Sequence, residues 1–257
     1  MRLTRISHPS LNGPRYASVL GSAALPLPAE FNFELGATPE TVTSFPLGDV
    51  KLLAPVVPSK IVCVGRNYRE HAAELGNKVP EEPLLFLKAP SALIASGDNI
   101  QLPAASQQVE HEGELGVVIG RTASKLTDED NPLDYVFGYT CVNDVTARDL
   151  QRKDVQFTRG KSFDTFCPVG PWIETELDPA NTTVTARLNS EIKQQGNTAD
   201  MAFPVAFLIR YISEIMTLYP GDLIATGTPA GVSKIKDGDV VEVEVAGIGV
   251  LRNQVVS

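Results

Sequence analysis

The stretch VEHEGELGVVIG, from Val109 to Gly120, sets acid against core. Its second half carries Val117-Val118-Ile119, a β-branched run that reads as buried strand. Its first half carries Glu110, Glu112 and Glu114 at alternate positions. Side chains on a strand alternate between faces, so one long strand, 109–119, projects all three carboxylates from the same side. Charges ~4 Å apart repel by about 4 kcal/mol at an effective dielectric of ~20, so a tight cluster costs on the order of 10 kcal/mol unless water, protons or a cation offset it. The trio therefore either splays into solvent or holds a hard metal ion, since Mg²⁺, Mn²⁺ and Ca²⁺ take oxygen ligands. Zinc chemistry of the HExxH kind is excluded, because no second histidine lies four residues after His111.

Outward from this strand, the chain alternates short strands with few helices. KIVCVG, ended by Gly65, and LLFLK read as strands, and YREHAAELG between them as a helix stopped at Gly76. DYVFGYTCVND is a strand followed by a helix over VTARDLQRK, with Thr146 near its cap. VAFLIRYISEIMTL has apolar residues at helical spacing and is the strongest helix. DLIATG and DVVEVEVAGIGVLRNQVV are strands, the second alternating apolar and charged residues before a glycine-containing turn. Strand exceeds helix and no regular βαβ rhythm appears, so an α+β, sheet-dominated fold is expected. Residues 1–57 differ: they hold short strands (2–6 and 15–20) and many prolines. They read as a small N-terminal β-rich domain whose linker ends near Ser59, leaving 58–257 as the main domain.

Composition narrows the function. The 257 residues carry a net charge of −9 and no basic run, which argues against a nucleic-acid partner. No window holds the 18 or so apolar residues needed to cross a bilayer, and the prolines after Ala17–Leu27 argue against a signal peptide, so no membrane partner and a cytoplasmic location are expected. Cys63, Cys141 and Cys167 are odd in number and far apart, which predicts buried free thiols.

Four further motifs carry candidate chemistry. In NDVTARDLQ, Asp144 ends a strand, where it either caps the following helix or completes a three-carboxylate face with Glu112 and Glu114. In GRNYREHAAEL, His71 and Glu74 lie three apart on a helix, as an exposed pair or as a base oriented by a carboxylate. In RGKSFDTFCPVGPW, Lys161 is a surface residue or a cation facing an acidic substrate. IATGTPAGV has neither P-loop nor dinucleotide spacing, but offers Thr226, Thr228 and backbone N–H groups to a carboxylate.

GRNYREHAAE, EGELGVVIG, GYTCVNDVTARDLQ, RGKSFDTFCPVGPW, QQGNTADM and PGDLIATGTPAGV occur in the order seen in the fumarylacetoacetate hydrolase family, which the chain resembles from Pro58 to its end. The resemblance implies an α+β fold built around a mixed β-roll, a homodimer, and Mg²⁺ or Mn²⁺ in each subunit. The N-terminal segment resembles the short leader domain of bacterial members. The family's E-x-E pair falls on Glu112 and Glu114 and its third ligand on Asp144, while Glu110 falls outside the set, behind the ligands or exposed. The family's mobile-lid dyad falls on His71 and Glu74, with the lid continuing through LGNKVPEEP. Lys161 matches an active-site lysine, Thr228 a substrate-carboxylate contact, and Arg66 and Gln151 positions near the substrate. His111 faces away from the glutamates and is not a ligand.

Family substrates are acylpyruvates, 2-oxo diacids and related enols. The resemblance therefore implies a divalent-metal-dependent enzyme acting on a small 2-oxo acid, with C–C bond hydrolysis of an acylpyruvate-like substrate as the first expectation. Oxaloacetate decarboxylation, or isomerisation and decarboxylation of 2-hydroxyhepta-2,4-diene-1,7-dioate, is the alternative. A metal-stabilised binding protein without catalysis is the third.

Overall fold

A computed structural model describes residues 1–33, 37, 43–74 and 76–257. Leu75, part of the helix and lid expected above, lies outside the described residues, as do some positions of the N-terminal segment. The fold is α+β: mixed sheets with four α-helices among the described residues. No helix is long and apolar enough to cross a membrane.

The strand Gly113–Ile119 forms the middle of the molecule and all seven of its residues are buried. It pairs antiparallel with Val136–Asn143 on one side and Leu223–Ala225 on the other. The sheet continues from Leu223–Ala225 through the parallel Ile61–Gly65 to Leu84–Lys88. In the other direction it runs through Cys167–Glu174 to the N-terminal strand Arg2–Ser7. Sequence alternation explains the double burial. Leu115, Val117 and Ile119 enter a core with Val184, Ala186 and Val243, whereas Val118 enters another with Leu3 and Phe137. Gly113 lets the second sheet approach: a Cβ there would lie 3.0 Å from that of Ala186.

That second sheet runs Glu191–Asn197, Thr183–Leu188, Val240–Val245, Gly249–Val256 and Ile100–Gln101. The hairpin expected from VEVEV is present, and its burial alternates with the sequence. Helix Val205–Ile215 packs Leu208, Ile209 and Ile212 into the same core as Leu115. All three cysteines are buried free thiols, as expected.

Two local expectations are corrected. The long strand 109–119 is broken at Glu112. There the Glu112 amide donates to the Asn143 side chain (Oδ1, 3.0 Å), while the Glu112 carbonyl accepts from the Asp144 amide at 2.8 Å. Val109–His111 instead joins a small sheet with Thr146–Ala147 and Ser233–Lys234. Thr146 is therefore in a strand and caps no helix. Its hydroxyl donates back to the Asp144 carbonyl at 2.9 Å, and the helix Arg148–Lys153 starts after Ala147.

Candidate active site

Glu112, Glu114 and Asp144 are each at most 4% exposed, and they offer carboxylate oxygens within 4.8 Å of one another. Burial overturns the solvated-face reading of the glutamates and the capping reading of Asp144. The strand break aims Glu112, the even register of the continuing strand aims Glu114, and the end of the neighbouring strand delivers Asp144.

Buried cations surround them. Lys161 Nζ donates to Glu112 Oε2 at 2.7 Å and to Asp144 Oδ2 at 2.6 Å. Lys88 Nζ donates to Asp144 Oδ1 at 2.6 Å and to the Val145 carbonyl at 3.1 Å. Arg148 spreads its guanidinium over three acceptors: Nε to Glu110 Oε2 at 2.7 Å, Nη2 to Glu112, and Nη1 to Gln151 Oε1 at 2.6 Å. Glu110 is thus buried behind the trio rather than exposed.

Electrostatics separates the two glutamates. Burial pushes the Glu112 carboxyl up, but Lys161 and then Arg148 outweigh it and hold it below the usual range. Glu114 accepts the Gly227 amide at 2.8 Å and has no ion pair among the described residues. Burial, then the charges of Asp144 and Glu112, push its carboxyl well above the usual range. Burial also opposes the charge on Lys161, yet Asp144 and Glu112 outweigh it, so this lysine is a fixed ammonium and not a base. The donor set suits a divalent cation: it is all oxygen, it is buried, and one carboxylate lacks the cation that the others have.

The trio forms the floor of a cavity of about 510 Å³, also lined by Arg66, His71, Glu74, Gln151, Lys161 and Thr228. All nine residues expected at a site are therefore together. The His71 Nδ1 lies 3.2 Å from Glu74 Oε2, which leaves Nε2 as the ring nitrogen without a partner among the described residues. Glu74 also accepts the Gly231 amide, 3.0 Å from Oε1. One carboxylate thereby orients the imidazole and fastens helix Arg69–Glu74 to the loop after Leu223–Ala225. Thr228 donates to the Gly113 carbonyl at 2.8 Å and accepts from Gln194 Nε2 at 2.7 Å. Thr226, also offered by that loop, is fully buried and donates to the Leu115 carbonyl instead.

Arg66 has φ 58°, a left-handed conformation costing about 1–2 kcal/mol for a residue with a Cβ. Its neighbour Asn67 holds the turn, donating to the carbonyls of Phe203 and Thr226 and accepting the Phe203 amide. His111 faces away, as expected, toward Gln194 Oε1 (3.1 Å) and Ser233 Oγ (2.8 Å), and burial lowers its pKa.

Lys88, Arg148 and Gln194 were not singled out by the sequence. The signal for Lys88 was a charge closing an otherwise apolar strand, LLFLK. Gln194 lies within a motif of the family resemblance, but nothing local assigned it the task of holding Thr228.

The family model for the fumarylacetoacetate (FAA) hydrolase C-terminal domain matches residues 60–256. The chain belongs to this family. It is 43% identical over 226 residues to oxaloacetate tautomerase YisK of Bacillus subtilis, covering 82% of this chain and 75% of that one. Among solved structures, it resembles 2-hydroxyhepta-2,4-diene-1,7-dioate isomerase from Mycobacterium marinum at 45% identity and TM-score 0.89, over 100% of this chain and 98% of that one. It also resembles a fumarylacetoacetate hydrolase from Exiguobacterium antarcticum at 39% identity and TM-score 0.88, over 100% and 99%. The family thus joins tautomerase, isomerase and hydrolase names on one fold.

Proposed function

We infer that the protein is a Mg²⁺- or Mn²⁺-dependent enzyme that acts on small 2-oxo acids by moving a proton at the carbon beside the carbonyl. The observation that carries this reading is one cavity holding both an acidic floor and a His71–Glu74 pair. Glu112, Glu114 and Asp144 are the residues that would hold the cation, which would supply Lewis-acid polarisation of such a substrate.

The protein's own groups do the rest. In the keto-to-enol direction His71 Nε2 takes the proton from the substrate carbon and hands it to the enolate oxygen, and the enol-to-keto direction reverses both transfers, while Glu74 holds the ring and stabilises its protonated form. The Lys161 ammonium stabilises the negative charge that gathers on the substrate oxygen as the proton leaves. Gln151, Arg66 and the backbone N–H of Thr228 bind the polar ends of the substrate, the Thr228 hydroxyl being held by Gly113 and Gln194.

Keto–enol interconversion of an oxaloacetate-like acid is the first reading, supported by the name of the B. subtilis relative. C–C hydrolysis of an acylpyruvate-like substrate, the first expectation from the sequence, becomes the second. It is favoured by the His71–Glu74 pair, since an oriented imidazole also activates water.

The test is proton NMR of oxaloacetate and acetylpyruvate with the Mg²⁺-loaded protein and with Lys161→Met. Faster enol–keto exchange in wild type, lost in the variant, supports the first reading. Release of acetate from acetylpyruvate selects the second. No acceleration of either substrate overturns both.

A further inference from the structure

The carboxamide of Gln194 is fully buried, and both of its ends are occupied. Oε1 accepts from the Gly113 amide at 2.9 Å and faces His111 Nδ1 at 3.1 Å, so it touches the two residues that flank Glu112. Nε2 donates to Thr228 Oγ1 at 2.7 Å and to the Pro229 carbonyl at 2.6 Å. The orientation is forced. The Gly113 N–H can only donate and the Pro229 carbonyl can only accept, so the oxygen points to the strand and the amide to the loop. One side chain therefore ties the strand break behind the acidic floor to the loop in the cavity wall.

That loop, residues 227–231, is pinned at both ends by the site itself. Gly227 donates to Glu114 Oε2 at 2.8 Å and Gly231 to Glu74 Oε1 at 3.0 Å. Its centre rests on Gln194 and on the Gly113 carbonyl, which accepts from the Thr228 hydroxyl at 2.8 Å. Strand Glu191–Asn197 also supports the centre: Gly196 leaves room for the Pro229 ring, and a Cβ there would lie 2.6 Å from the Cβ of Pro229. With the hydroxyl committed, the Thr228 backbone N–H is left, and it makes no hydrogen bond among the described residues.

We propose that Gln194 is a positioning residue: it fixes the Thr228 N–H in the cavity wall and so sets the affinity for a substrate carboxylate, without itself touching substrate. This rests on the reading of the cavity as a 2-oxo acid site and adds a residue that acts on it from behind. A buried amide with every partner met holds one geometry, whereas an apolar replacement leaves the Pro229 carbonyl and the Gly113 N–H unmet and the loop centre loose.

The test compares two affinities of the full chain: Mn²⁺ binding, read by electron paramagnetic resonance, and oxalate binding to the Mn²⁺-loaded protein, read by calorimetry. Oxalate does not react and presents the carboxylate of a 2-oxo acid. Gln194→Met should weaken oxalate by at least about tenfold, equivalent to ~1.4 kcal/mol, and Mn²⁺ by less than about threefold. Mn²⁺ is spared because Lys161 and Arg148 still hold Glu112, and Lys88 and Lys161 still hold Asp144. A merely structural loss would weaken both alike. Thr228→Val breaks the same tie from the other end while keeping the backbone N–H, so it should weaken oxalate through the freed loop alone. Thr228→Ser keeps the hydroxyl and should bind oxalate within about twofold of wild type. Gln194→Met combined with Thr228→Val should lose little more than the weaker-binding single variant, because both break one tie.

Unchanged oxalate affinity in a Gln194→Met protein with native circular dichroism overturns the proposal, and so does an equal loss of oxalate and Mn²⁺. If Gln194→Met does not fold, the Thr228 variants decide: full oxalate affinity in Thr228→Val overturns the proposal, and a loss there that Thr228→Ser restores supports it. The split in affinities, in a protein that turns over no 2-oxo acid, supports the positioning role and removes the catalytic reading. Turnover of a 2-oxo acid without the split does the reverse. Failure of Mn²⁺-loaded wild type to bind oxalate removes both.

Discussion

Replacing Arg148 by methionine tests how the buried charges hold one another. The side chain is 3% exposed, and its three donors serve Glu110, Glu112 and Gln151. Methionine fills much of the volume and removes the charge. Glu112 keeps Lys161 as a partner, but Glu110, whose side chain is 9% exposed, keeps only the Gln108 amide at 2.6 Å. Removing one member of a buried pair costs about 3–5 kcal/mol, because the other charge stays buried and unmatched. At roughly 2 °C per kcal/mol for a chain of this size, the melting temperature should fall by about 6–10 °C. Most of that cost is assigned to Glu110, so Glu110→Gln added to Arg148→Met should restore a large part of it. Differential scanning calorimetry of wild type, both single variants and the double variant closes the cycle. A loss below about 1 kcal/mol in Arg148→Met refutes the reasoning, since that is the worth of an exposed ion pair. A double variant no more stable than Arg148→Met refutes the assignment to Glu110.

Three further outcomes are expected. Glu74→Gln keeps the side chain's size and removes its charge. It should lower His71-dependent proton transfer by roughly 10²-fold or more, while oxaloacetate decarboxylation falls less; steady-state rates on both reactions decide it, and equal losses would place the pair in holding the helix alone. Gly231 has φ +102°, and a Cβ there would lie 1.9 Å from the Lys193 carbonyl oxygen. Gly231→Ala should therefore displace the loop, release Glu74 and cost more than the ~1–2 kcal/mol of the left-handed backbone alone; an unchanged melting temperature and rate would contradict this. Burial raises the Glu174 carboxyl, but the Glu176 amide, the N-terminal ammonium and Arg2 outweigh it and hold it below its ordinary value. Its folded pKa lies below its unfolded value of about 4.3, so its stabilisation is present above that pH and lost as pH falls through the folded value. Glu174→Gln should lower the melting temperature more at pH 7 than at pH 3, and equal losses at both would show that the contact is not ionic.

The sequence carried local pattern well and long-range pairing poorly. The β-branched run Val117-Val118-Ile119 marked a buried strand, and alternation in VEVEV marked a hairpin strand, because side-chain direction is set by the backbone every second residue. The convergence of Glu112, Glu114 and Asp144 followed from strand-end logic joined to a family resemblance. The break at Glu112 did not, because it depends on the Asn143 amide replacing a ladder hydrogen bond across two strands. Thr146 looked like a cap because capping is local, and strand pairing with Glu110 overrode it. Lys88 and Arg148 escaped notice because their partners lie 56, 36 and 38 residues away in the chain. Their meaning appears only once the sheet has brought the acids to one place. The cation count then shows Glu114 to be the carboxylate left over.

The central claim, that these three carboxylates hold a divalent cation, is tested most directly by electron paramagnetic resonance of Mn²⁺ titrated into wild type and Glu114→Gln. This substitution keeps the side chain's size and can still accept the Gly227 amide. The account predicts one tightly bound Mn²⁺ per chain in wild type, displaced by Mg²⁺, and a loss of affinity of at least about tenfold in the variant with its circular dichroism unchanged. Equal stoichiometry and affinity in the two proteins would contradict it.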